Sequence, residues 1–149
     1  MKFTVTTSIV VLLVFLVLSG CGGPKVKGLV SVRGTVIYNG EPLAGASIGL
    51  TPKDFSNGAR IGTGTTNAEG KFELRTIGEL GVLPGEYVVV IVKNEIVPQT
   101  PQANPRPGRP APSQVQSLIP KRYGDPQTSE LNVVVEKSGL VHWLVELVD

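Results

Sequence analysis

From Val30 onward, turn-forming residues cut the chain into runs too short for helices. Asn39-Gly40, Pro42 with Gly45, Asn57-Gly58, Asn67 to Gly70, Pro84-Gly85 and Ser138-Gly139 separate short stretches rich in Val, Ile, Leu and Tyr. Within those stretches apolar and polar residues alternate, the period of a strand packed on one face. Val32, Gly34, Val36 and Tyr38 alternate with Ser31, Arg33, Thr35 and Ile37. Asn39-Gly40 is a strong hairpin signal, because both central positions of the favoured turn need positive φ. Further strands are expected at Ala46 to Leu50, Ile61 to Thr66, Phe72 to Arg75, Glu86 to Val92, Leu131 to Val135 and through Trp143, Val145 and Leu147. Along Glu86 to Val92, Tyr87, Val89 and Ile91 share one face and Val88, Val90 and Val92 the other, so this strand is expected to be covered on both sides. No segment in this part shows a helical period with caps.

The first residues have a different texture. Met1-Lys2 supplies a positive start, and Ile9 to Leu18 is an uninterrupted apolar run. About 20 such residues are needed to span a bilayer, so this run fits the hydrophobic part of an export signal. Leu18-Ser19-Gly20-Cys21 follows at once and resembles the lipobox of bacterial lipoproteins. The residue types suit that chemistry. A thiol is a good nucleophile for accepting a diacylglyceryl group, and Ser19 and Gly20 are small enough to lie extended in a peptidase cleft. The resemblance implies a signal peptide over residues 1–20, thioether lipidation of Cys21, cleavage before it and acylation of the new amino group. Two or three acyl chains anchor stably where one is marginal. Gly22, rather than Asp, after the cysteine implies an outer-membrane destination, facing the periplasm or the exterior. Residues 21–29 read as a lipidated tether, and residues 30–149 as one domain.

Cys21 is the sole cysteine, so no intrachain disulfide is available and the exported body must rely on its β core. With 14 Lys+Arg against 12 Asp+Glu and no basic run, a nucleic-acid partner is not expected. Residues 97–120 break the strand rhythm with seven prolines, at 98, 101, 105, 107, 110, 112 and 120. That stretch is expected to be an extended or disordered loop, because it holds too few apolar residues to offset chain entropy.

Seven strands with intervening turns predict an all-β antiparallel sandwich. Three stretches carry a family resemblance: Gly34-x-Val36-x-Tyr38-Asn39-Gly40-x-Pro42-Leu43-x-Gly45-Ala46-x-Ile48, Thr66-x-x-x-Gly70-x-Phe72-x-Leu74, and Leu83-Pro84-Gly85-x-Tyr87-x-Val89. They resemble carboxypeptidase regulatory-like domains, which implies a seven-stranded transthyretin-like Greek-key sandwich. The tail, from Ile119-Pro-Lys-Arg-Tyr123 to Trp143-x-Val145-x-Leu147, is similar to small lipoproteins of this kind abundant in planctomycete-like bacteria. These are folding motifs, and they specify architecture better than activity.

Catalysis needs a nucleophile, base or metal held in a site. The one histidine, His142, sits beside Trp143 with a parity that points away from the core, and a lone His does not make a metal site. Nothing around Ser129 or Ser138 makes either a nucleophile. Thr66-Asn67-Ala68-Glu69-Gly70 supplies too few oxygens for calcium and reads as a hairpin turn. The hydrolytic branch of transthyretin-like proteins relies on several histidines and a Tyr-Arg-Gly-Ser ending, where this chain has one histidine and ends Glu146-Leu-Val-Asp149. No enzyme activity, cofactor or metal is therefore expected.

Tyr38, Phe72, Tyr87 and Trp143 are in phase with Val and Leu and are expected in the core. Tyr123 is a candidate to stack on a sugar or peptide, or to pin the end of the long loop to the sandwich. Arg106 and Arg109 are candidates to contact anionic glycans or lipids. The expected function is that of a membrane-anchored envelope lipoprotein with a structural or protein-interaction domain. Carbohydrate binding is the alternative.

Overall fold

Asn39 and Gly40 take φ values of 49° and 86° and fold strand β1 (Val32–Tyr38) back onto β2 (Glu41–Pro42), as the Asn-Gly signal predicts. The computed structural model describes residues 26–98 and 113–149. The expected leader, the start of the tether and the centre of the Pro-rich stretch lie outside the described residues. The fold is all-β, with no α-helix among the described residues.

One sheet is built around β1, with β2 and β5 (Lys71–Glu73) antiparallel to it and β12 (Leu140–Leu147) parallel to it. The second sheet also contains β3 (Ser47–Pro52), β4 (Gly62–Thr65), β6 (Arg75–Thr76), β7 (Glu79–Leu80), β8 (Gly85–Val92) and β11 (Asn132–Val135). Its strand order is β11-β8-β3-β4-β6-β7. One core joins the two sheets. Val32, Val36, Phe72, Val145 and Leu147 come from the first, and Ile48, Leu50, Tyr87, Val89, Ile91 and Val135 from the second. The expected aromatics take part: Phe72 and Tyr87 are buried, and Tyr38 and Trp143 pack at the margin.

Three sequence expectations are corrected. The ladder is not wholly antiparallel, since β1 and β12 run parallel from Val32↔Leu140 to Tyr38↔Leu147. Alternation within a strand is the same for either direction, so it carries no trace of this. The predicted strand at Phe72 to Arg75 is two strands. At Leu74, which is fully buried, the chain leaves β1 for β4, with Leu74 N donating to the Val32 carbonyl at 3.0 Å and Gly81 N donating to the Leu74 carbonyl at 2.8 Å. Finally, the flanks of the Pro-rich stretch are paired, not irregular. β9 (Asn94–Pro98) and β10 (Ser113–Ser117) form an antiparallel ribbon in which Ile96 opposes Val115. Val88, Val90 and Val92 are half-buried, so the second face of β8 is only partly covered.

Gly34 lies between β12 and β5, opposite Trp143 on one side and Phe72 on the other. The two rings meet edge to face above it, with centroids 5.7 Å apart and planes at 81°. A Cβ at this position would drive into the Trp143 carbonyl oxygen and lie 2.8 Å from a Phe72 ring carbon. Gly34→Ala is therefore expected to lower stability by about 1–3 kcal/mol through overpacking, read as a fall in the urea unfolding midpoint.

The N-terminal segment is tied to the far edge of the second sheet. Val30 and Val82 exchange two backbone hydrogen bonds of 2.9 Å, and Val26 N donates to Glu79 Oε2 at 3.3 Å. The last part of the predicted tether thus lies along β7.

Candidate functional site

Among the described residues, the outer face of the second sheet carries a broad concave feature. One glycine opens it: Gly49, at the centre of β3, contributes no side chain to this face, leaving a shallow trough of about 800 Å³. Its floor is Val90 and Val92, and its walls carry the hydroxyls of Ser47, Thr63 and Thr65. Cross-strand pairing sets this arrangement, since Gly49 faces both Val90 and Thr63, and Ser47 faces both Val92 and Thr65. Arg75 closes one end, with its Nη1 donating to the Gly78 carbonyl at 3.3 Å. None of the lining residues is aromatic or histidine. The trough offers hydrogen-bond donors above an apolar floor, with neither a nucleophile–base pair nor a stacking ring.

A second constellation sits where β1 and β12 end. Tyr38 Oη donates to Asp149 Oδ1, and Asn39 Nδ2 donates to Asp149 Oδ2 at 2.9 Å. The Tyr38 hydroxyl, and then the Asn39 amide, hold the Asp149 carboxyl below the usual carboxylate range. The same hydrogen bond to Asp149 raises the Tyr38 phenol above its ordinary value. The two shifts agree. A depressed carboxyl stabilises the fold above its unfolded value, and that contribution is lost as pH falls through the folded one. A raised phenol contributes below its unfolded value and is lost as pH rises through the folded one. The link is thus expected to be whole from mildly acidic to mildly alkaline pH. NMR titration should place the Asp149 midpoint below that of an unstructured aspartate, and Tyr38→Phe should move it back up.

Beside this link a short 3-10 helix, Lys121–Gly124, packs against β8, and it explains Tyr123. Tyr123 is buried, and its hydroxyl donates to the Val148 carbonyl at 2.9 Å and accepts from Val148 N at 3.1 Å. The Arg122 guanidinium lies 4.7 Å from the Tyr123 ring centroid, and Nη2 donates both to Tyr123 Oη at 3.1 Å and to the Val148 carbonyl. Of the two roles expected for Tyr123, ligand stacking is corrected. Its ring and hydroxyl are committed to pinning this segment to the end of β12. Arg122, which the sequence presents only as part of Ile119-Pro-Lys-Arg-Tyr123, is its partner. The basic residue just before the tyrosine was visible, but its target 26 residues later was not.

The other residues singled out by sequence fall as follows. His142 is exposed, with φ of 65°, at a bulge in β12 where the register to β1 shifts. Ser129 is buried and its hydroxyl donates to the Val89 carbonyl, a tie between β8 and the chain entering β11. Among the described residues there is no group of three or more His, Cys, Asp and Glu arranged to hold a metal ion. No helix among them is long and apolar enough to cross a membrane. Leu18, Ser19, Gly20, Cys21, Arg106 and Arg109 lie outside the described residues.

Comparisons with known proteins add little. No family model matches the chain. No curated protein matches it. Among solved structures, a 9R-lipoxygenase from Cyanothece aligns with 95% of this chain at 11% identity and a TM-score of 0.35. The chain spans 19% of that enzyme's length, and a likeness this weak carries no argument about activity.

Proposed function

We propose that the chain is an exported envelope lipoprotein, held at the membrane by lipid on Cys21, whose β body is a non-catalytic structural or protein-interaction module. The observation that carries this reading is Leu18-Ser19-Gly20-Cys21 directly after a short apolar run in a chain with no other cysteine. A lone cysteine in an exported protein calls for a specific chemistry, and acyl transfer to its sulfur is the one these neighbours suit. The finer architecture proposed is the seven-stranded transthyretin-like Greek key of carboxypeptidase regulatory-like domains. Supporting it, the first and last strands lie side by side in parallel, with β5 on the other side of β1.

Mass spectrometry of the mature N-terminus tests the anchor. The expected product begins at Cys21 and carries a diacylglyceryl thioether. A chain beginning elsewhere, or with a free thiol at Cys21, would refute it. Cross-linking in intact envelopes tests the module and is expected to trap a protein neighbour on the sandwich. An isolated monomer would count against an interaction role.

Carbohydrate binding is a second reading, favoured by the hydroxyl-lined trough with Arg75 at its end. A glycan array that stays blank with the mature lipoprotein would remove it.

A further inference from the structure

Among the described residues, the two tight turns with φ positive at both central residues differ in one respect. Asn39-Gly40 uses the residue types that geometry prefers. The turn between β6 and β7 has the same dihedral signs, with Ile77 at 50° and Gly78 at 81°. A β-branched residue at positive φ is strained. Packing within the body does not compensate, because Ile77 is 56% exposed and Leu80, two residues beyond the turn glycine, is 53% exposed.

What lies next to this turn gives the strain a purpose. Val26 is hydrogen-bonded to Glu79 in β7, and Lys27 beside it is exposed. The N-terminal segment therefore leaves the body at this hairpin. Cys21 is only five residues before Val26, a span of at most about 17 Å when fully extended. Arg75 lies over the turn through its bond to the Gly78 carbonyl, and Lys27 follows the residue bound to Glu79. Two cations and the Val26-bonded Glu79 carboxylate thus belong to the end of the sheet that carries the two exposed apolar side chains.

We propose that the β6–β7 turn is a membrane-contacting wedge: Ile77 and Leu80 enter the acyl–headgroup boundary of the leaflet that holds the lipid on Cys21, with Arg75 and Lys27 at the headgroup phosphates. The proposal rests on the lipoprotein reading for its anchor. Lipid on Cys21 keeps the body near the bilayer, and the wedge sets which face it turns to it. Apolar side chains with flanking basic residues are the composition that suits the interfacial zone. In this orientation the β7 edge faces the membrane.

The test uses the lipid-bearing chain, in which thioether formation consumes the Cys21 thiol and a newly placed cysteine is the only free one. Ile77→Cys and Leu144→Cys are each labelled with an environment-sensitive dye and reconstituted into phosphatidylcholine–phosphatidylglycerol vesicles containing brominated lipid. Leu144 is the control, being similarly exposed at 51% but on β12 in the other sheet. The expected result is a blue shift and quenching at position 77, with neither at position 144. Equal signals from a chain whose lipid mass is confirmed would overturn the wedge alone. A chain without that mass would overturn the anchor reading, and the wedge with it. Ile77→Asn separates membrane contact from folding: it is expected to raise the urea midpoint by relieving turn strain. A lowered midpoint would show that Ile77 serves the fold, and would also overturn the proposal.

Discussion

A full-length chain carrying Cys21→Ser is expected to take up no fatty acid and to accumulate as an uncleaved precursor. Replacing sulfur by oxygen removes the nucleophile proposed to accept the diacylglyceryl group while changing the side chain's size very little. Each methylene withdrawn from water contributes about 0.8 kcal/mol, so losing two acyl chains removes far more membrane affinity than any surface substitution on the body. The readouts are incorporation of labelled fatty acid and the mass of the product. Sedimentation alone would mislead, because a retained leader is itself apolar from Ile9 to Leu18. A product that still carried label and still began at position 21 would refute the proposed anchor chemistry. With the leader proposed as a part separate from the body, Cys21→Ser should leave the urea midpoint of the β body unchanged.

Tyr87→Ala should do the reverse, strongly destabilising the body while leaving lipid uptake intact. Tyr87 is fully buried on the inward face of β8, where it faces Pro52 on β3 and Val133 on β11. Its hydroxyl donates to the Leu83 carbonyl at 2.7 Å, closing the turn that leads into β8. Truncating a buried aromatic side chain to Ala costs about 3–5 kcal/mol, because it removes transfer energy and leaves a cavity between packed strands. That is a large fraction of the 5–15 kcal/mol typical of a domain. Tyr87→Phe keeps the ring and loses only the hydrogen bond, so about 1 kcal/mol is expected. Urea unfolding of both variants measures the difference. Equal midpoints would mean that the ring contributes nothing beyond its hydroxyl, contrary to its burial.

What the chain reveals unaided is local. Asn39-Gly40 states its own turn because the required dihedrals select the residue types. Tyr87, Val89 and Ile91 point inward because one side of a β-strand repeats every second residue. The inward phase of Val145 and Leu147 was readable for the same reason. Pairing partners were not readable. The parallel union of β1 and β12 leaves no mark on either segment, and the change of sheet at Leu74 looks like continued alternation. Ile96 and Val115 lie in short flanks that show no strand-long alternation, so the ribbon they share is visible only once the two flanks are brought together. Tyr123 was ambiguous because its partner, Val148, lies across the fold. The β6–β7 turn was hidden for the opposite reason: Ile77 contradicts the turn chemistry that a reader looks for.

The lateral contact between the opening and closing strands also governs when the molecule can form. Val32 finds Leu140 only after nearly all the intervening polypeptide has been delivered, and contacts of such long range are slow to close. For the export proposed above, this order of pairing would keep the body threadable for most of its passage and let it lock only when its final strand arrives. Such a delay would suit a protein whose N-terminal sulfur must reach the lipid-modifying enzymes before the rest becomes rigid.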